Sequence, residues 1–307
     1  MSRNPPVKHH YTPRFLLHGW TGDDGKLWRF TSPYLGKIAI KRVAPAEIGY
    51  QKHLYSIPGA APDKAQAIEE KFMSALDDQA ADAHKLLLQG KVALPQKLRS
   101  AWSRFLMSQW FRTPEGVGHM KQAMASLLAK DDPALFAKYE ALKKEDYPPS
   151  LDEAIALLDP HFAEHAALQV MMKLMDDPTN GHRLNNMQWF VREVEGGHDL
   201  LVSDKLLQMG HGIFSDSGYL TIPLSPLLMF CAVKQPSLGK AIMAMGRNEF
   251  VSRANRAVVR RAVEYIGATD MSQAPFIEKH FGRDDHPTLI GAIAKRYADG
   301  EVAGSSG

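Results

Sequence analysis

A single cysteine, Cys231, stands in 307 residues, which excludes a disulfide framework and any zinc site built on thiolates. It lies in Leu228-Met229-Phe230-Cys231-Ala232-Val233, the setting of a buried inert thiol rather than of a nucleophile. Long hydrophobic runs are missing too. Nothing approaches the roughly 20 apolar residues of a membrane span, and Met1 to Lys8 is polar and proline-bearing, unlike a signal peptide. A soluble protein of the cytoplasm, with no membrane partner, is expected. Charge of one sign is also scarce: 37 Lys and Arg against 34 Asp and Glu leave a net charge of +3, so no global field calls for nucleic acid or anionic lipid. The common nucleotide and hydrolase signatures are absent. There is no Gly-x-Gly-x-x-Gly after a strand, no Gly-Lys-Ser/Thr phosphate loop, no Gly-x-Ser-x-Gly elbow and no Asp…Glu-x-Lys nuclease pattern.

What is present is the composition of a folded globular protein, 45% hydrophobic and 23% charged. Turn chemistry at Asp23-Asp24-Gly25-Lys26 precedes an alternating segment, Leu27 to Phe30, and Ile38 to Val43 reads as a further strand. A loop bracketed by Pro58 and Pro62 ends this portion. The period then becomes helical: Ile68, Phe72 and Leu76 fit one apolar stripe, with Glu69, Glu70, Asp77, Asp78 and Asp82 on other faces. Leu98 to Arg112, Met120 to Ala129, Ala134 to Leu142 and Asp159 to Met175 continue the helical block. Pro114 ends the first of these, and Asp132-Pro133 and Asp159-Pro160 look like caps followed by proline at the first helical position. Strands return at Trp189–Val194 and Asp199–Ser203, with Gly196-Gly197 as the turn of a hairpin, and at Tyr219–Pro223 and Leu227–Val233, where Pro223 and Pro226 imply a bend or an edge. Asn248 to Gly267 reads as a helix. This order predicts an α+β fold in which the terminal strand groups form a sheet, with a central helical block over 63–176 and a C-terminal helix. We expect a single domain over 1–303 with the helical block as an insertion, and a disordered tail over 304–307.

Near the amino terminus, His9-His10-Tyr11-Thr12-Pro13-Arg14-Phe15-Leu16-Leu17 concentrates two imidazoles, a phenol and a guanidinium against an apolar run. Further on come Gly49-Tyr50 with Tyr55, Glu69, Gln109-Trp110-Phe111-Arg112-Thr113-Pro114, Trp189, Ser203-Asp204, Pro223-Leu224-Ser225-Pro226 and Asn255. In this order the segments resemble a large, mainly bacterial family known as domain of unknown function 4238, over about residues 8 to 270. Its members open with His-His-Tyr-x-Pro-x-Phe-x-Leu. They commonly continue the Ser-Asp pair into Asn-Pro, where this chain has Lys205-Leu206. The resemblance implies no activity.

The matched polar residues define a candidate cleft: His9, His10 and Asp204 for proton chemistry, with Arg14, Gln109, Arg112, Asn255 and Arg256 for binding. Imidazole moves protons near neutrality, a carboxylate orients it, and guanidinium groups hold carboxylate or phosphate bidentately. His9 and His10 point to opposite sides of an extended segment, so one of them serves a given site. Arg112 and Glu69 also read as a buried pair clamping two helices. His161-Phe162-Ala163-Glu164-His165 matches His-x-x-Glu-His, a zinc-peptidase pattern. It lacks a third ligand and falls outside the family-matched segments, so no metal is assigned. Arg253, Arg256 and Arg260 share a helix face that suits phosphates, and that also reads as a solvated face or as a partner for the acidic helix around Glu69 to Asp82. Two functions follow: a hydrolase-like His/Arg/Asp cleft acting on a phosphate-bearing or nucleic-acid substrate, or a non-catalytic binding protein using the basic helix. Cofactor and oligomeric state are left open.

Overall fold

The computed structural model describes residues 7–34, 36–61, 64–128, 133–194 and 196–283. The expected tail, Pro62 and the Asp132 cap lie outside them. Strand β1 (Lys8–His10) is followed by the short helix α1 (Arg14–Leu17), strands β2 (Leu27–Tyr34) and β3 (Lys37–Val43), and β4 (Tyr50–Lys52). The helical block comprises a π-helical turn over Ile68–Met73 that runs into α2 (Ser74–Leu87), then α3 (Gln96–Ser108), α4 (Pro114–Leu128), α5 (Pro133–Leu142), α6 (Leu151–Leu158), α7 (Phe162–Met175) and α8 (Pro178–Asn185). After it come β5 (Gln188–Glu193), β6 (Val202–Ser203), β7 (Gln208–Gly210), β8 (Tyr219–Ser225) and β9 (Leu228–Val233). The described chain closes with α9 (Pro236–Ala244), α10 (Arg247–Arg261), β10 (Ile266–Ala268) and α11 (Ala274–His280). The fold is α+β, with its strands in antiparallel sheets and helices α2–α8 in one block between the amino-terminal and later strand groups.

The terminal strand groups do meet, through a strand that the periodicity hid. Strand β10 inserts between β2 and β6 in the order β3-β2-β10-β6, with Ile266 opposite Phe30 on one side and Ser203 on the other. Two of its three residues, Ile266 and Gly267, fall inside what reads as the end of a helix. Gly267 suits the position: a Cβ there would lie 2.7 Å from Val202 Cγ1 and 2.8 Å from Leu27 Cδ1, so the glycine lets these two side chains of the neighbouring strands pack over it without shifting.

A second four-stranded sheet, β5-β9-β8-β7, carries the other strands. The hairpin expected across Gly196-Gly197 does not form. β5 makes a six-residue register with β9 instead, while β6 goes to β10. The reason is burial. Met229 to Val233 is enclosed on both faces, and such a strand is satisfied only between two neighbours, β5 and β8. Pro223 marks a bend in β8, with a register shift between Pro223 and Ser225. The β7 pairing ends at Thr221, so the missing proline N–H breaks no ladder bond there.

Two helix starts differ from expectation. Asp159 closes α6 rather than opening α7, whose N-cap is His161, because the Asp159 carboxylate is engaged by His161 N–H and His165. Pro114 is the first residue of α4, the position where a proline lacks nothing the helix needs. The helix before it has already ended at Ser108. The main core joins all parts of the chain: Leu16 and Trp20 near the amino terminus, Trp102 and Phe105 of α3, and Leu220 and Phe230 of the second sheet.

Candidate functional site

The His-His-Tyr segment is where these parts converge. Alternation along β1 turns His9 inward, fully buried, and leaves His10 half-exposed. The Nδ1 of His9 accepts the Tyr55 backbone N–H at 2.9 Å, and its Nε2–H donates to Gln66 Oε1 at 2.7 Å. Both ring nitrogens are therefore committed within the protein, and the imidazole stacks on Tyr55. Beyond His10 the chain bends. The Tyr11 and Thr12 amides both donate to the Gly49 carbonyl, and the Thr12 hydroxyl bonds Tyr265 Oη at 2.6 Å. Gly49 has φ +65, with a Cβ placed 2.6 Å from Thr12 Cβ, so the contact requires glycine there.

Arg112 sits beneath this turn, completely buried in the short break between α3 and α4. Two of its nitrogens grip Asp77 at 2.7 and 2.8 Å, and Nη2 also donates to the His10 carbonyl at 2.9 Å. Tyr55 Oη donates to the Arg112 carbonyl at 2.5 Å. Burial disfavours the guanidinium charge, but Asp77 more than offsets it and the group stays above its ordinary pKa. Glu69 completes the cluster from the π-helical turn. Its carboxylate accepts the His10 backbone N–H, and burial pushes its pKa up to about 7.

Three polar atoms in this cluster are buried and have no hydrogen-bond partner among the described residues: His10 Nε2, Glu69 Oε2 and Arg112 Nε. They come from three separate segments of the chain. Burial, with Arg14 next, lowers the His10 pKa to about 4, and its other ring nitrogen faces the Ala46 carbonyl. At neutral pH the ring is therefore uncharged, and a donor Nδ1–H leaves the Nε2 lone pair open. Lys8 and Arg14 are both exposed and within electrostatic reach of it.

The remaining sequence candidates lie around this centre or away from it. Gln109 is half-buried and its amide donates to Ser108 Oγ at 3.3 Å. Asp204 follows β6 and is buried beside Tyr11. Its oxygens accept the Val263 and Tyr265 amides at 3.1 to 3.3 Å, tying the chain after α10 to β6, and burial lifts its pKa to about 6. Lys205, at the position where the family commonly has asparagine, forms an ion pair with Glu115 of α4. Asn255 accepts Leu201 N–H at 2.9 Å and donates to Asp199 O and Gln273 Oε1, so its amide stitches α10 to the segment before β6. Arg256 lies exposed on α10, beside His280 of α11. The structure thus brings together His10, Arg14 and Arg112, sets His9 directly behind them, and gives Asp204 and Asn255 to the junctions of the first four-stranded sheet.

Sequence reasoning gave Asp77 and Tyr55 no part in the site, and it set Glu69 off the apolar stripe while also reading it as a buried partner of Arg112; the ion-pair partner of Arg112 is Asp77. The π-helical turn is the cause. It adds a residue to the local winding, which rotates Glu69 and Asp77 toward the same buried guanidinium. An arginine that burial would otherwise forbid, set against two acids eight residues apart, is the signal that reveals the cluster.

The His-x-x-Glu-His segment has another use. His161 Nδ1 pairs with Glu164 at 2.9 Å, while His165 bonds Asp159 Oδ2 at 2.6 Å through Nδ1 and the Pro58 carbonyl at 2.8 Å through Nε2. Among the described residues no group of three or more His, Cys, Asp and Glu is placed to hold a metal ion. The Pro58 carbonyl and Asp159 favour the charged imidazolium and raise the His165 pKa. The folded state therefore gains from protonation. That gain is complete below His165's ordinary value and is lost as pH climbs through the raised one. We expect amide protection factors at Ile57 and Ala60 to fall between pH 6 and pH 9, and His165→Gln to flatten that dependence. An unchanged dependence in the variant would show that the clamp has another origin. Cys231, buried on β9, has its thiol pushed up to about 12 by burial and is unreactive.

The fold and this centre define an α+β protein with a buried, incompletely satisfied His/Glu/Arg cluster. Residues 8–272 match the model of the family described as Protein of unknown function (DUF4238), and the chain belongs to that family. No curated protein and no solved structure matches it. Among the described residues no helix is long and apolar enough to cross a membrane.

Proposed function

We propose that the His10/Glu69/Arg112 cluster is a hydrolase-like acid–base site for a small anionic, phosphate-bearing substrate. The observation that carries this reading is that three buried polar atoms without hydrogen-bond partners among the described residues, His10 Nε2, Glu69 Oε2 and Arg112 Nε, belong to side chains within electrostatic reach of Arg112. Leaving such atoms unmet costs about 1–3 kcal/mol each, so a site that keeps three together is one that a ligand or water completes. At neutral pH the uncharged His10 offers its Nε2 lone pair to an attacking water. Glu69, with a pKa of about 7, carries the proton that a leaving oxygen takes up; after product leaves, His10 gives the proton taken from water to solvent and Glu69 regains one from it. Two carboxyl and imidazole groups whose environments push their pKa values apart suit this division of labour. Lys8 and Arg14 supply positive charge at the mouth. The Arg112 charge is largely balanced by Asp77, so its part is to hold His10 and Glu69 in place.

The test is hydrolysis of p-nitrophenyl phosphate and bis-p-nitrophenyl phosphate by the purified full chain. A positioned acid or base contributes about 10²–10⁴ in rate, so His10→Gln is expected to lower kcat by at least a hundredfold with an unchanged circular dichroism spectrum. Absence of turnover on both esters, or undiminished turnover in the variant, removes the reading.

A second reading, a binding protein that works through the basic face of α10, is supported by a different observation. His280 is held below its ordinary pKa by burial and then by Arg256, Lys279, Arg260 and Arg283, so four cationic side chains lie within electrostatic reach of it.

A further inference from the structure

Between α10 and α11 lies a cleft of about 560 Å³, within the range of small-molecule sites. Its walls carry side-chain amides (Asn248, Asn255, Gln273), the Ser252 hydroxyl, the His198 imidazole and the Phe276 ring, and among the described residues no Asp, Glu, Lys or Arg lines it. That lining suits a flat, uncharged, hydrogen-bonding group. Asn255 and Gln273 are buried and locked to each other at 2.9 Å and to the Asp199 carbonyl, so this wall is rigid before anything binds. Asn248 and Ser252, by contrast, are exposed and face the opening.

The cleft continues into positive charge along both helices. Asn248, Ser252, Arg256 and Arg260 follow one another at four-residue spacing on α10, which sets them in a single row. Phe276 and His280 repeat that spacing on α11, with ring centroids 5.0 Å apart. Each row begins in the amide-lined cleft and ends among Arg256, Arg260, Lys279 and Arg283. Arg260 also donates to the Arg283 carbonyl at 3.1 Å, fixing that end of the row. Arg253, on a neighbouring row, is taken by Glu249 at 2.7 Å and is not part of it.

We propose that this cleft is a nucleotide site, the base stacked on Phe276 among the side-chain amides and the phosphate held by Arg256 and Arg260. The proposal deepens the second reading above and is independent of the His10 cluster. A stacked ring with the Asn248 amide, the Ser252 hydroxyl and the remaining Gln273 N–H recognises a base, Asn255 serving only to hold Gln273 in place. Guanidinium groups match phosphate geometry. The two features stand end to end here, the order in which a 5′-mononucleotide presents them.

The experiment is calorimetric titration of the full chain with the four 5′-mononucleotides, adenosine and inorganic phosphate. At least one mononucleotide is expected to bind roughly tenfold or more tightly than adenosine or phosphate alone. Ser252→Trp, a substitution at an exposed helix position that fills the cleft, is expected to remove most of that gain. Arg256→Glu is expected to weaken the nucleotide and phosphate but not adenosine. Equal affinity for nucleotide and phosphate, both weakened by Arg256→Glu, overturns the nucleotide site and leaves the basic-face reading standing. No binding of either overturns both. Binding only of oligonucleotides, with affinity rising with length and indifferent to Ser252→Trp, also overturns the site, in favour of a polynucleotide tract.

Discussion

Glu69→Gln is expected to make the protein more stable above pH 7 while abolishing turnover at the proposed site. Burial raises the Glu69 pKa from 4.5 to about 7, which means that the folded chain binds this proton more tightly than the unfolded one. The stabilising acid form is complete below about pH 4.5 and is lost as pH rises to 7. At about 1.4 kcal/mol per pH unit, the full shift corresponds to about 3.5 kcal/mol at pH 8, and the partial exposure of the side chain reduces this to on the order of 2–3 kcal/mol. A neutral amide of the same shape escapes that cost. Urea midpoints of the two proteins should therefore coincide near pH 4.5 and diverge at pH 8, with the variant higher. Comparison at a fixed pH cancels the opposing titration of His10, whose lowered pKa draws stability away as pH falls from 6.5 toward 4. Gain of stability with loss of activity is the signature of a strained functional group. A variant that is less stable at pH 8 would mean that Glu69 is held as a structural ion pair.

Arg112→Met is the substitution expected to do most damage. It removes a buried charge that touches Asp77 twice and the His10 carbonyl once. Breaking a buried pair by one partner typically costs about 3–5 kcal/mol. Asp77 is 22% exposed and can recover some hydration, which places the loss toward the lower end. Replacing both partners relieves the stranded carboxylate, so Arg112→Met/Asp77→Leu should lose less than Arg112→Met alone. That inequality, read from urea midpoints, is the coupling of the pair. If the double variant loses the sum of the two single losses, the pair is not what secures the turn. The His10 side chain should lose its fixed place along with Arg112, since its carbonyl is the third anchor.

The polar segment at the amino terminus was legible because its residues are costly to bury and have no role in a simple strand. The partners were only half legible. Periodicity finds faces on a regular helix, and Glu69 and Asp77 flank an irregular one, so an even spacing of 3.6 assigned them outward. Strand β10 was hidden for another reason. Three residues with one glycine carry no alternation, and what makes them a strand is the fit of Gly267 between Val202 and Leu27, a contact made across the chain. The hairpin at Gly196-Gly197 failed where local turn chemistry competed with the burial of β9 on both faces, and burial won. The roles of Asn255 and Asp204 had the same character. Their side chains read as site chemistry, and their bonds go to the backbone of Leu201, Val263 and Tyr265.

The placement of β10 between β2 and β6 has a consequence for how the chain is made. Phe30 faces Ile266, and the Thr12 hydroxyl waits for Tyr265, so the first sheet stays open until nearly the whole described chain has left the ribosome. At about 5–20 residues per second, β2 and β3 stand as a bare hairpin for on the order of ten seconds or longer. Isolated hairpins are marginal in water, and an exposed edge invites pairing with another chain. The helical block, rich in local contacts, is able to form during that interval. Newborn chains should therefore be most vulnerable at the β2 edge, and the last step of their maturation is the arrival of a strand only three residues long.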